Sequence, residues 1–339
     1  MNKPFILGPE GKDYIWGGRR LIDSFSKKTE METLAETWEL STHEDGKSRI
    51  LSGEHKGRLL NDVLKEFPEY AGTHPVSVYP GSEAGKRALA EGLLPVLVKL
   101  IDADKDLSVQ VHPDDDYANI NENGSLGKSE MWYVIDADKD AEIVYGFKEA
   151  LTRDKLRESI EKGTIEKYLN YVKVHKNDVF FIPAGTVHAI GKGILIAEVQ
   201  ESSNLTYRLY DYDRTDKSGK KRELHIDKAL EVTDFGVRCE LKQPMRVLKY
   251  KRGYASELLA TCKYFITERI LINTEKNKEM SDIQSDETSF ILLLCYSGCG
   301  TIFGEDTSIN FFKGDSVFIP ASSIPLKIHG RAEFISVKA

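Results

Sequence analysis

An eleven-residue pattern occurs twice in this chain, and it narrows the possible folds more than any other feature. Lys176-Asn177-Asp178-Val179-Phe180-Phe181-Ile182-Pro183-Ala184-Gly185-Thr186 returns 137 residues later as Lys313-Gly314-Asp315-Ser316-Val317-Phe318-Ile319-Pro320-Ala321-Ser322-Ser323, with seven of the eleven positions matching in type. Each copy reads as an Asn/Gly-Asp turn, an apolar strand and a Pro-Ala turn. Each also follows a strand-like run ending near a glycine, Tyr145-Gly146 and Phe303-Gly304. A turn–strand–turn unit that recurs with its flank points to a duplicated β domain. The copies differ in one respect. Five residues after Pro183 stands His188, whereas five residues after Pro320 stands Pro325, which offers no ligand atom. The first copy has kept chemistry that the second has lost.

The remaining sequence supports a mostly β chain. Leu94–Ile101, Glu142–Phe147, Asp178–Ile182, Ile194–Gln200, Thr206–Tyr210, Phe290–Tyr296, Thr301–Phe303, Ser316–Ile319 and Glu333–Val337 are β-branched or aromatic runs bounded by turn residues. Many short strands of this kind predict a sandwich or barrel. Helical spacing of apolar residues is confined to Leu59–Phe67, Arg153–Leu169 and Ile226–Val232. A length of 339 residues accommodates two domains. The expected division is 1–235, with a helical insert around 150–170, and 236–339.

Composition excludes classes of function without naming one. With 47 basic and 54 acidic residues the net charge is −7, which gives no bulk attraction for nucleic acid or an anionic membrane. Apolar runs such as Phe290–Tyr296 fall far short of the ~18–20 residues of a membrane span. The opening nine residues lack the apolar segment of a secretory signal. The four cysteines (Cys239, Cys262, Cys295, Cys299) are too few for a disulfide scaffold and fit a reducing compartment, the cytoplasm. Cys295 and Cys299 have no second thiol pair or nearby histidine to complete a metal site, and are read as structural.

The chemistry lies in one set of side chains. Gln110 and His112, two apart in a β-like run, point the same way on a strand. Eighteen residues later Glu130 opens an aromatic strand, and a further 58 residues on His188 follows the Pro-Ala-Gly turn. Two imidazoles, a carboxylate and an amide oxygen suit an open site for a borderline divalent metal such as zinc. Lys99 lies inside an apolar strand and Arg208 in a second one. With Lys128 they are candidates to hold a phosphate by charge-assisted hydrogen bonds. The run Asp114-Asp115-Asp116 reads as a solvated turn.

On these residues the chain resembles the type I mannose-6-phosphate isomerases of the cupin superfamily, in their short bacterial form. The resemblance is carried by Tyr14-Ile15-Trp16-Gly17-Gly18, Ala35-Glu36-Thr37-Trp38-Glu39, Leu94-Pro95-Val96-Leu97-Val98-Lys99 and Gln110-Val111-His112-Pro113. Gly127-Lys128-Ser129-Glu130, Pro183-Ala184-Gly185-Thr186-Val187-His188 and the stretch from Glu198 to Asp211 extend it. It is strongest over 90–215 and weak after 240. It implies two cupin-type jelly-roll barrel units with small helical insertions, the second without ligands. It also implies one zinc ion held by Gln110, His112, Glu130 and His188, and Arg208 as an active-site arginine. The implied reaction interconverts mannose 6-phosphate and fructose 6-phosphate through a cis-enediol. Glu198, Lys128 or a water on the metal is the base, and Lys99, Lys128 and Arg208 compete for the phosphate. A non-haem iron oxygenase, using two histidines and a carboxylate, and a non-catalytic sugar-phosphate-binding cupin are the rival readings. The sequence does not set the oligomeric state.

Overall fold

The structure, a computed structural model, describes residues 2–79, 87–88, 90–215, 219–237, 245–275 and 279–339. Cys239 lies outside the described residues. The chain forms two compact units: Met1–Lys12, Arg20–Leu100 and Met245–Ala339 make one, and Asp13–Arg19 with Ile101–Pro244 makes the other. Packing therefore groups residues 20–100 with the C-terminal stretch, a different division from one drawn along the chain near residue 235. Among the described residues no helix is long and apolar enough to cross a membrane.

The first unit is built on a ten-stranded sheet. Its centre is the antiparallel pair Ile291–Gly304 and Leu326–Lys338, flanked by Ile266–Asn273 on one side and Ser316–Ile319 and Phe5–Gly8 on the other. Strict alternation buries Leu326 and Ile328 with Leu293, Ile302, Phe311, Val317, Ile319 and Phe334. The strands expected at 290–296 and 301–303 are one continuous strand. Ser297-Gly298 lies within it, paired with Glu333 and Ala332, rather than in a turn: the bulge is at Tyr296, where the register with the partner strand shifts between Cys295 and Ser297, and Gly298 takes a φ of +82°.

A buried ion pair supports this unit. Lys27 Nζ lies 2.6 Å from Glu39 Oε1, and the carboxylate also accepts from Thr37 Oγ1 at 2.6 Å and Ser316 Oγ at 2.7 Å. Glu39 is wholly buried. Lys27→Met strands that carboxylate without its cation. It is expected to cost about 3–5 kcal/mol, seen as a lowered denaturation midpoint. An unchanged midpoint would show that Thr37 and Ser316 alone satisfy Glu39.

The second unit carries two sheets. One, six-stranded in all, includes Val179–Ile182, Glu130–Ala137 and Ile194–Glu201 in that order; the other orders Tyr207–Tyr210, Val109–Val111, His188–Ile190, Glu142–Phe147 and Leu169–Lys173. The sheets are open in strand order, not closed barrels as expected. The helix expected over 153–169 is shorter. Arg153–Glu161 is helical, capped by Thr152, whose side chain accepts the Lys155 N–H. It stops where Gly163 takes a φ of +63°, and a 3-10 turn and the Leu169–Lys173 strand follow. Its Leu156 and Ile160, four apart, face Val109, Phe147, Val187 and Leu209. Leu59–Phe67 and Ile226–Val232 are helical as expected, over Leu60–Glu66 and Ile226–Val232.

The two copies of the repeat match bond for bond. Asn177 and Gly314 both take positive φ (73° and 99°), as do Gly185 and Ser322 (84° and 52°). Asp178 Oδ2 accepts the His175 N–H at 2.7 Å, and Asp315 Oδ2 accepts the Phe312 N–H at 2.8 Å. The strands Val179–Ile182 and Ser316–Ile319 occupy equivalent positions. Ile182 pairs with Glu130, whereas the equivalent Ile319 pairs with Ile291. The second copy therefore has an isoleucine where the first has Glu130, as well as Pro325 for His188.

Candidate metal centre

Strand register sets up the site. Gln110 lies opposite His188 on one side and Arg208 on the other, and His188 lies opposite Tyr145. Residues directly opposite in a sheet project to the same face, so Arg208, Gln110, His188 and Tyr145 form one row. Val109 and Val111, which alternate with Gln110, point into the core. His112 follows as the strand ends. The turn preceding His188 is tied to it, because the Gly185 N–H donates to the His112 carbonyl at 2.9 Å.

Glu130, the first residue of its strand in the other sheet, meets this row. Its Oε1 lies 3.2 Å from His188 Nε2, and its Oε2 lies 3.9 Å from His112 Nε2. All three residues are buried, and their ligand atoms lie within 4.8 Å of one another. Gln110 Nε2 is 3.4 Å from His188 Nε2, and a half-turn of the amide brings its oxygen to the same place.

Both imidazoles are oriented for ligation. His112 Nδ1 bonds the Leu205 carbonyl at 2.7 Å, and His188 Nδ1 bonds the Thr186 carbonyl at 2.8 Å. Only Nδ1–H can donate to a carbonyl, so each neutral ring turns the Nε2 lone pair toward Glu130. Burial, and then the Lys128 ammonium, pulls the His188 pKa down to about 4, which keeps the ring neutral. Lys128 Nζ already lies among these acceptors, 2.6 Å from Glu130 Oε2 and 3.0 Å from His112 Nε2. Two lone-pair nitrogens, a buried carboxylate and an adjustable amide, converging where a cation is accommodated, fit a divalent metal.

The surrounding groups are fixed as well. Glu198, opposite Trp132 in the sheet, accepts from the indole Nε1 at 2.9 Å. Arg208 donates to Ser108 Oγ (3.3 Å) and the Glu223 carbonyl (2.8 Å). Burial, then Arg222 and Arg214, lowers its pKa from the usual arginine value.

The comparisons decide the family. Residues 5–153 match the family model "Phosphomannose isomerase type I, catalytic domain", and residues 256–339 match "Mannose-6-phosphate isomerase, cupin domain". The mannose-6-phosphate isomerase ManA of Bacillus subtilis is 38% identical over 336 residues, 98% of each chain. The chain belongs to the type I phosphomannose isomerases. The crystal structure of the mannose 6-phosphate isomerase from Bacillus subtilis superposes with a TM-score of 0.86 at 33% identity, covering 99% of both chains. A structure described as a zinc-bound mannose 6-phosphate isomerase shares the fold, with a TM-score of 0.73 at 16% identity over 98% of each chain.

In this type I phosphomannose isomerase the structure gathers Gln110, His112, Lys128, Glu130 and His188, with Arg208 in the same row and Glu198 bonded to Trp132, whose ring lies 5.4 Å from that of His188. Lys99 belongs to the other unit, where its ammonium faces Glu36 at 3.6 Å and lies 5.1 Å from the centre of the Trp38 ring. Asp114-Asp115-Asp116 is not a solvated turn. Asp114 caps the helix Asp115–Asn121, and Asp115, half-buried, accepts the Gly127 N–H. Sequence reasoning missed Trp132 as the partner of Glu198, although its place two residues after Glu130 put it on the same strand face. It also missed the pairing of Asp211 with Arg214 and Arg222, whose guanidinium nitrogens lie 2.5 and 2.6 Å from Asp211 Oδ1. Cys295 is buried, which pushes its thiol pKa up to about 12 and removes it as a metal ligand.

Proposed function

We propose that this enzyme interconverts D-mannose 6-phosphate and D-fructose 6-phosphate at this centre, with one zinc ion held by Gln110, His112, Glu130 and His188. The observation that carries the reading is the row of Gln110, His188 and Arg208 meeting the buried Glu130, in a chain of this family. A bound divalent ion supplies Lewis-acid stabilisation of negative charge on the substrate oxygens.

The protein's own side chains supply the rest. Arg208, in the same row as two of the proposed ligands, offers a fixed guanidinium to the enediolate oxygen. Glu198 and Lys128 are the side-chain candidates to move a proton between C1 and C2 of the sugar. Trp132 fixes Glu198 Oε2, and Glu130 holds Lys128 Nζ. Of the three cations proposed for the phosphate, Lys99 and Lys128 face carboxylates, while Arg208 bonds neutral oxygens. That difference supports Arg208 as the group whose charge is available to an anionic substrate. Thiols outside any disulfide at Cys295 and Cys299 agree with a cytoplasmic setting.

The test is incubation with mannose 6-phosphate before and after chelation. Fructose 6-phosphate is expected to form, to cease with chelator and to return with added zinc. Oxygen consumption by iron-loaded protein without isomerisation supports the oxygenase reading instead. Sugar-phosphate binding without proton exchange into solvent supports a non-catalytic binding role.

A further inference from the structure

Lys128 and Glu130 sit on a segment with no helix or strand ahead of Glu130 to hold it. Every N–H from Gly127 to Ser129 nevertheless has a fixed partner. Gly127 donates to Asp115 Oδ1 at 3.0 Å, Lys128 to the Pro113 carbonyl at 2.9 Å, and Ser129 to Glu201 Oε1 at 2.7 Å. The Ser129 carbonyl in turn accepts the Glu201 N–H at 3.1 Å. The approach is close enough that a Cβ on Gly127 would lie 2.5 Å from the Asp115 nitrogen. Two carboxyl side chains, Asp115 and Glu201, thus grip the segment on either side of Lys128.

These two carboxyls also meet each other. Glu201 is buried, and its second oxygen, Oε2, is reached by no N–H or O–H donor. Asp115 and Ser129 are the side-chain neighbours of the Glu201 carboxyl. Two carboxylates cannot bond as anions, because both only accept. A single shared proton makes one the donor and satisfies both. Burial, and then Asp115, raises the Glu201 pKa to about 8, and the buried Oε2 with no donor of its own is the atom suited to carry that proton. The clamp reaches the other ligand segment too. The Ser129 hydroxyl accepts the N–H of Ala184, in the turn that leads to His188.

We propose that Glu201 is a positioning residue. As a neutral acid it shares its proton with Asp115, and the pair locks Gly127–Lys128–Ser129 so that Lys128 and Glu130 stay in register with His112 and His188. The inference rests on the assignment of Lys128 and Glu130 to the reacting centre.

Three variants and a spectrum test it. Glu201→Gln keeps an acceptor for Ser129 and an N–H donor for Asp115, so kcat is expected to stay within about 3-fold of wild type. Glu201→Leu has similar volume and neither group. Measured below its melting temperature, its kcat is expected to fall about 10–100-fold, with KM changed much less. At mildly acidic pH the wild-type protein is expected to show the infrared carbonyl stretch of a protonated carboxyl, which Glu201→Gln removes. The proposal is overturned by the absence of that difference band, by Gln being as impaired as Leu, or by Leu keeping the wild-type kcat. If Glu201→Leu does not fold, the band and the Gln variant still decide. Lys128→Met separates the two levels. Normal turnover there removes the assignment of Lys128, whereas an impaired Lys128→Met beside a normal Glu201→Leu removes the clamp alone.

Discussion

His188→Ala is expected to lose most of its bound metal and about 10³-fold in turnover, the worth of several kcal/mol of charge stabilisation. The side chain is fully buried, and its Nε2 is 3.2 Å from Glu130 Oε1. Removing it takes away one of the two imidazoles proposed to hold the metal and leaves the Glu130 carboxylate to His112 and Lys128. The backbone at 188 is held independently, by pairing with Gln110 on one side and Tyr145 on the other. Alanine is therefore tolerated in the strand, and the loss falls on the site. Metal content of the purified variant, its turnover and its melting temperature are the measurements. Full metal occupancy with normal turnover would show that His188 is not a ligand.

The legible parts of this molecule are those written in local chemistry. The repeat is readable because its turns need positive φ at Asn177 and Gly314 and an Asp two residues before the second strand position, and these demands leave residues in sequence. Gln110 and His112 are readable because a strand's period of two puts them on one face. Helix and strand limits were less so. Ser297-Gly298 has the composition of a turn, and only the pairing with the partner strand shows that the strand runs on through it after a bulge at Tyr296. Apolar spacing ran through Arg153–Leu169, yet Gly163 ended the helix early. The pairings that set the electrostatics link distant residues: Lys99 with Glu36, Trp132 with Glu198, Asp115 with Glu201. No local pattern encodes them, because each depends on which strands lie side by side. Burial decides their consequences, and burial is a property of the packed sheets.

Arg208→Ala is expected to cut turnover by about 10²-fold or more while metal content stays at the wild-type level, as for loss of one oxyanion donor. The separation follows from geometry. Arg208 shares its row with Gln110 and His188, but its guanidinium bonds Ser108 Oγ and the Glu223 carbonyl, not the proposed ligands. Its neighbour Asp211 is held by Arg214 and Arg222, so those two arginines take up the carboxylate. A guanidinium among neutral partners, partly withdrawn from water, interacts strongly with charge that develops beside it. If that charge is the enediolate, kcat falls more than KM rises. If it is the phosphate, present equally in ground and transition states, KM rises with kcat nearly unchanged. Arg208→Lys sharpens the distinction, since a single ammonium cannot reproduce the fork that spans Ser108 and Glu223. A variant with normal kcat and KM would remove Arg208 from the reaction, and one that has lost its metal would make it a support of the metal centre instead.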